Sequence, residues 1–136
     1  MAYFLAKSAP GSYGLKELER DGKTTWDGVK NAQALQAIRA MTRGDRVFFY
    51  HSGGESAIVG LARVASAPRP DPKDEKLTVV DLAFDARLEP PVTLAEIKSE
   101  PRFASWALVR QSRLSTMAAP DEFAEWMRRR YPKAKI

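Results

Sequence analysis

The sequence contains no cysteine and a single histidine among its 136 residues. Disulfides, thiolate zinc sites and cysteine nucleophiles are therefore excluded, and one histidine cannot build a histidine-rich metal site. No run approaches the roughly 18 apolar residues of a membrane span, and the N-terminal MAYFLAKSAP is too short and interrupted for a secretory signal. We therefore expect a soluble, cytoplasmic protein that uses no metal and no cofactor.

Length and composition favour one globular domain over residues 1–136. Apolar residues make up 44% and charged residues 29% of the chain, a balance typical of proteins with a packed core. Neither a G-x-G-x-x-G pattern nor a Walker motif is present, so dinucleotide and nucleoside triphosphate sites have no support.

The excess positive charge lies at one end of the sequence. Residues 1–101 contain 14 basic and 14 acidic side chains, whereas residues 102–136 contain eight and three, which accounts for the net charge of +5. Such clustering suits a polyanionic partner, because Lys and Arg release counterions when they contact phosphates. The alternative is a solvated basic helix end, where cations complement the helix dipole.

Apolar runs between turn residues predict four strands, at residues 2–6, 46–50, 57–64 and 77–84. The second and third should form a hairpin, and Gly60 inside the third predicts a bulge or a close backbone approach. We expect residues 66–76 to form an exposed loop and Pro90-Pro91 to end the last strand.

Four further segments predict helices. They are a short helix over residues 15–20, a helix to Gly44 with Asn31 as its N-cap, a short helix that begins with a capping box at Thr93, and a helix from near Asp121 to before Pro132. The last of these carries an apolar stripe on one face, formed by Phe123, Trp126, Met127 and Tyr131. Strands and short helices alternate at irregular spacing, which disfavours a doubly wound sheet. The predicted fold class is α/β (α+β), with a small mixed, barrel-like sheet flanked by short helices.

The residue types of a Ser-His-Asp triad occur close together in Asp45, His51 and Ser52. Successive strand residues point to opposite faces, however, and the chain has no G-x-S-x-G elbow. We therefore expect no triad and interpret His51 as a pocket or loop residue.

Several ordered segments carry a resemblance to a known family. YFLAKSAP, WDGVKNAQA, GDRVFFYHSGG, IVGLARV and LVRQSRLS follow one another over residues 1–126. Together they resemble the EVE domain, which belongs to the PUA-like superfamily and is similar in fold to YTH domains. The resemblance implies a compact mixed β-barrel with packed helices and a role in binding nucleic acid, with modified bases as the ligands.

The resemblance also implies a pocket for one base. By matching positions, Lys7 and Ser8 would line its floor and Trp26 would supply a stacking wall. The predicted base-binding residues are Lys7, Ser8, Pro10, Trp26, Asp27, Gly28, Val29, Asn31, Tyr50, His51, Ser52, Arg113, Leu114 and Ser115. Arg and Lys around the rim would meet the phosphates beside the base, and the candidates are Lys30, Arg110 and Arg113. Ala9 stands where many EVE domains have glutamate, and Leu77 where a tryptophan is common.

An unpaired base offers a π-face for stacking and an edge for hydrogen bonds, which an aromatic wall and a few polar side chains can meet. We therefore predict a non-enzymatic domain that binds DNA or RNA and recognises a methylated or similarly modified base flipped into an aromatic pocket. Two alternatives stay open: a small hydrolase of a modified nucleoside that uses Lys7 or His51, and a protein-interaction module. The alternative for Trp26 is that it packs on the helix it precedes. The choice of DNA or RNA and the oligomeric state are not determined.

Overall fold

The computed structural model describes residues 1–54 and 56–136, and its strands form one mixed sheet of seven strands. The strands are β1 (Tyr3–Ser8), β2 (Lys23–Trp26), β3 (Arg46–His51), β4 (Ala57–Val64), β5 (Arg69–Asp71), β6 (Asp74–Thr93) and β7 (Thr116–Ala119). Their order is β2-β6-β4-β3-β1-β7, and β5 pairs with β6 beside this path.

The sheet is mixed and open. β1 lies parallel to β3 and antiparallel to β7, while β4 and β6 continue the sheet with antiparallel pairing. In the described chain, β2 and β7 end the order and do not pair with each other. The predicted mixed α+β class is therefore confirmed, although the barrel-like sheet is not closed.

Five short α-helices and one 3₁₀ turn flank the sheet in the described ranges. They are α1 (Leu15–Asp21), α2 (Ala32–Arg39), α3 (Leu94–Lys98), the 3₁₀ turn Pro101–Phe103, α4 (Ala107–Arg110) and α5 (Asp121–Arg130). Asn31 caps α2 by accepting the Ala34 N–H at 3.0 Å, and Thr93 opens α3 with the predicted capping box. Within the described residues, every helix is too short or too polar to cross a bilayer.

Helix α5 docks on the sheet through the predicted apolar stripe. Phe123 is fully buried, and its ring centroid lies 5.3 Å from that of Phe48 on β3. Phe48, Phe103, Trp106, Phe123 and Trp126 form one group of mutually packed rings, which we call the aromatic cluster. This cluster packs α5, the 3₁₀ turn and the start of α4 against β3.

Two predictions around the first helices were wrong. Trp26 was expected in a loop, but it ends strand β2 and pairs with Val80 of β6. The main helix was expected to reach Gly44, but it ends at Arg39. The Asp45 carboxylate accepts the Thr42 N–H at 2.9 Å, and Gly44 has a φ of 96°, so these residues form the turn before β3 instead.

The proline-rich segments are also more regular than predicted. Residues 66–76 contain β5 and the start of β6 rather than only an exposed loop. Strand β6 continues past Pro90-Pro91, because the ladder with β4 passes from Gly60–Arg87 to Ile58–Val92 and leaves both prolines in a bulge. A bulged position tolerates proline, which has no N–H to give to a ladder.

Gly60 has the close approach that the sequence predicted. A Cβ at this position would lie 2.4 Å from Leu15 Cδ1, so the missing side chain leaves room for α1 on β4. Helix α4 and strand β7 were not predicted.

Candidate nucleic-acid site

A cavity of about 410 Å³ lies beside Trp26, at the ends of β1 and β2 and before α2. We call it the Trp26 cavity. Its lining consists of Lys7, Ser8, Ala9, Tyr13, Thr24, Thr25, Trp26, Asp27, Gly28, Val29, Lys30 and Ser115. Its volume falls in the range of about 300–1,000 Å³ that is typical of small-ligand sites.

Trp26 forms the aromatic wall of this cavity. Only 9% of the residue is exposed, and its ring meets Phe49 edge to face at a centroid distance of 5.9 Å. The indole Nε1 is buried and finds no hydrogen-bond partner among the described residues. The indole thus packs on the sheet and borders the cavity at the same time.

Lys7 and Ser8 come from the end of β1, as the resemblance implied. The Lys7 Nζ donates to the Ser112 carbonyl at 3.1 Å and lies 5.5 Å from the centre of the Tyr50 ring. Burial lowers the pKa of the Lys7 ammonium. The Ser8 hydroxyl donates to the Tyr13 carbonyl. Lys7 still has two N–H donors for a ligand, and Ser8 still has acceptor capacity.

The segment between β2 and α2 forms the opposite wall. Asp27 and Lys30 are exposed, whereas Val29 is buried. Gly28 has a φ of 76°, a left-handed conformation that glycine adopts without strain. Asn31 does not line the Trp26 cavity, because its side chain caps α2.

A smaller cavity of about 300 Å³ lies beside the first and includes most of the predicted basic stretch. It is lined by Asn31, Arg110, Gln111, Ser112, Arg113 and Leu114. Of the segment 113–115, only Ser115 lines the Trp26 cavity, and Leu114 is buried with 4% exposure. The bond from Lys7 to the Ser112 carbonyl joins the walls of the two cavities.

Lys30, Arg110 and Arg113 form no ion pair with any described residue, which is also true of exposed Arg43 and Arg129, whereas seven other arginines are paired. Arg130, for example, pairs with Glu96 at 2.8 Å. The charges of these three residues are therefore available to an external anion. We call Lys30, Arg110 and Arg113 the basic rim.

Besides Asn31, Arg113 and Leu114, four more predicted base-binding residues lie outside the Trp26 cavity. Tyr50 is buried beneath Lys7, with 2% exposure, and the Ser52 N–H donates to the Ser8 carbonyl at 3.0 Å. His51 lines a different cavity of about 640 Å³, and exposed Pro10 does not line the Trp26 cavity. Tyr50 and Ser52 thus support the cavity floor from behind.

His51 has a structural bond that occupies one ring nitrogen. Its Nε2 accepts the Leu15 N–H at 3.0 Å, so this nitrogen carries no proton. Burial lowers the pKa of the imidazole, while Glu17 acts in the opposite direction. Asp45 lies at the other end of β3, where its carboxylate accepts backbone N–H groups, so Asp45, His51 and Ser52 do not assemble as a triad.

Sequence reasoning missed four lining residues: Ala9, Tyr13, Thr24 and Thr25. The run Lys23-Thr24-Thr25-Trp26 has β-branched residues that favour a strand, and alternation along that strand places Thr24 on the same side as Trp26. Tyr13 gave no such signal, because the turn before α1 brings it to the cavity. Its hydroxyl donates to Asp21 at 2.9 Å.

No cluster of three potential metal ligands occurs in the described ranges.

The sequence and the fold agree on one family. The EVE domain family matches residues 2–130, and the chain belongs to this family. Thymocyte nuclear protein 1 from Homo sapiens is 31% identical over 126 residues, which cover 72% of this chain and 56% of the human protein. The chain thus spans about half the length of the curated relatives it matches.

Solved structures show the same architecture. A protein from Rhodopseudomonas palustris is 39% identical with a TM-score of 0.89, covering 96% of this chain and 92% of that one. A protein from Agrobacterium tumefaciens is 32% identical with a TM-score of 0.90, covering 100% of both chains. The human THYN1 protein in complex with DNA containing 5-methylcytosine is 25% identical with a TM-score of 0.85, covering 96% of this chain and 98% of that one.

Proposed function

We propose that this chain is a non-enzymatic nucleic-acid-binding domain that takes one unpaired, modified base, such as 5-methylcytosine, into the Trp26 cavity. The observation that carries the proposal is the position of the basic rim, which lacks ion-pair partners among the described residues, next to a cavity with an indole wall. The complex of human THYN1 with DNA containing 5-methylcytosine supports it. A cytoplasmic location remains a prediction.

The proposed binding energy comes mainly from the base ring. Stacking on an aromatic side chain contributes about 1–3 kcal/mol per base, whereas one added methyl group in a dry pocket contributes about 0.8 kcal/mol. The indole therefore sets the affinity for an extruded base, and the methyl group adjusts it. Polar atoms of Lys7, Ser8 and Asp27 are within the lining and would meet the edge of the base.

The basic rim would bind the phosphates on either side of the extruded base. Lys30 belongs to the Trp26 cavity, while Arg110 and Arg113 line the cavity next to it. Each phosphate contact releases counterions, so affinity should fall steeply as the salt concentration rises. A strand that enters the site would thus place its backbone along the rim and one base inside.

Fluorescence anisotropy with a labelled single-stranded oligonucleotide that contains one 5-methylcytosine tests this proposal. We expect the triple variant Lys30→Ala, Arg110→Ala, Arg113→Ala to bind more weakly and with a smaller salt slope. The matched control removes three exposed charges outside both cavities, Arg43→Ala, Lys98→Ala and Arg129→Ala. An equal loss in both triple variants, or no binding by the unaltered protein, would overturn the proposal.

A hydrolase that acts on a modified nucleoside is the second candidate function. The observation that favours it is Lys7, which lines the cavity and whose pKa is lowered by burial, as a catalytic amine requires. Incubation with acylated and alkylated nucleosides should then release product, and Lys7→Met should abolish the release. If none of the nucleosides in the panel gives a product, the hydrolase function is rejected and nucleic-acid binding is the single candidate function that is left.

A further inference from the structure

We infer that Asp27 is a specificity-determining residue of the Trp26 cavity and selects a base with an exocyclic amino group over its carbonyl counterpart. The inference rests on the proposed function, because it assigns a role within the same site. In chemical terms, the cavity should prefer 5-methylcytosine to thymine, two bases that share a ring shape and a methyl group.

Asp27 differs from every other described residue that lines the cavity. It is the only carboxylate in the lining, it is exposed, and it forms no ion pair or hydrogen bond with a described residue. An ionised carboxylate only accepts hydrogen bonds. The cavity therefore presents one strong, unoccupied acceptor to whatever enters it.

Four other polar side chains of the lining are already hydrogen-bonded in the protein. The Thr25 hydroxyl donates to Asp81 at 3.0 Å, and the Tyr13 hydroxyl donates to Asp21 at 2.9 Å. Ser8 donates to the Tyr13 carbonyl, and Lys7 donates to the Ser112 carbonyl. These bonds hold the floor in place and leave only neutral hydroxyl oxygens as further side-chain acceptors, so the Asp27 carboxylate is the one charged acceptor among the described lining residues.

The two pyrimidines differ at position 4, where one carries a hydrogen-bond donor and the other an acceptor. Cytosine carries an amino group at position 4, and Asp or Glu is the side chain that accepts from this group. Thymine carries a carbonyl there, and its single N3–H lies between two carbonyl oxygens, so a carboxylate that approaches it also faces oxygen. The methyl group contributes equally to both bases and cannot discriminate between them.

The test uses two single-stranded oligonucleotides that differ only in 5-methylcytosine or thymine at one position. We expect the unaltered protein to prefer 5-methylcytosine by about tenfold, as one well-placed polar contact provides. The variant Asp27→Asn should bring this ratio close to one, because its amide can also donate to the thymine carbonyl. Asp27→Ala should weaken binding of 5-methylcytosine without any gain for thymine.

Asp121→Asn, on the exposed first turn of α5, is the control for the loss of one negative charge and should leave the ratio unchanged. If Asp27→Asn changes both affinities equally, or if the unaltered protein does not prefer 5-methylcytosine, the role of Asp27 is overturned while the proposed function stands. If the unaltered protein binds neither oligonucleotide, the proposed function fails as well.

Discussion

Two tryptophans of this protein are equally buried and differently placed. Trp106 is 7% exposed and Trp26 is 9% exposed. The Trp106 Nε1 donates to the Ala118 carbonyl at 2.9 Å, and its ring centroid lies 4.5 Å from that of Phe123. The Trp26 Nε1 is buried without a partner among the described residues, and its ring borders a cavity.

This contrast separates a tryptophan that only packs from one that packs and also borders a cavity. A buried N–H without a partner costs free energy, which most proteins avoid in their cores. Local rules are broken most often at functional sites, where another requirement outweighs the cost. Burial alone would assign both rings to the core, whereas hydrogen bonding and the adjacent cavity distinguish them.

The largest expected effect concerns the aromatic cluster. Phe123→Ala should lower the free energy of unfolding by about 3–5 kcal/mol, because the ring is fully buried and a cavity would remain. Lys30→Ala at the Trp26 cavity should change it by less than about 0.5 kcal/mol. Urea denaturation measures the free energy of unfolding of both variants. Similar losses would contradict the distinction between the aromatic cluster, which stabilises the fold, and the Trp26 cavity, which does not.

The second prediction compares the two tryptophans directly. Trp106→Phe removes the hydrogen bond to the Ala118 carbonyl and should cost about 0.5–1.5 kcal/mol more than Trp26→Phe, which removes an unpaired donor. Binding should show the opposite order, with weaker binding of oligonucleotides in Trp26→Phe only. Equal stability losses in the two variants, or unchanged oligonucleotide binding in Trp26→Phe, would contradict the proposed difference between Trp106 and Trp26.

A smaller effect is expected at the start of α2. Asn31→Ala removes the acceptor for the Ala34 N–H and should cost about 1 kcal/mol, while Asn31→Ser retains an oxygen cap and should restore most of the stability. The exposed Gln33→Ala on the same helix serves as the control. Thermal unfolding distinguishes these variants, and a loss in Asn31→Ser equal to that in Asn31→Ala would argue against the cap.

The smallest effect concerns pH and His51. Its pKa is lowered in the folded protein, so the unfolded chain binds a proton more readily, and stability should be complete above the usual pKa near 6.5 and decline as the pH falls below it. His51→Gln keeps an acceptor for the Leu15 N–H and should flatten this decline. Melting temperatures measured between pH 7.5 and 5.5 give the pH dependence of stability for both proteins. The same decline in His51→Gln and in the unaltered protein would contradict the role of His51.

The fold was predictable where local chemistry determines structure. The Asn31 cap, the capping box at Thr93 and the apolar stripe of α5 each depend on residues within one or two helical turns, and all three were confirmed. The predicted strand over residues 77–84 is shorter than β6, because prolines normally end a strand. The pairing with distant β4, which places Pro90 and Pro91 in a bulge, has no local signal in the sequence.

The site was only partly predictable for the same reason. Lys7, Ser8 and Ser115 meet because β1 pairs with β7, and Trp26 joins them from β2 at the other end of the strand order, an arrangement that no local pattern specifies. Asn31 was assigned to the base, but its carbonyl oxygen is committed to a helix N–H. His51 was placed in the pocket by its neighbours in sequence, while strand alternation directs it to another cavity.

The two walls of the Trp26 cavity differ in how freely they can change. Trp26 is anchored in the backbone ladder through Val80, whereas residues 27–30 lie outside every helix and strand. Substitutions at exposed Asp27 and Lys30 leave the core intact, while substitutions at Trp26 alter the packing against Phe49. The charge and the outline of the cavity can therefore change at two exposed positions of the connecting chain while the indole wall keeps its place.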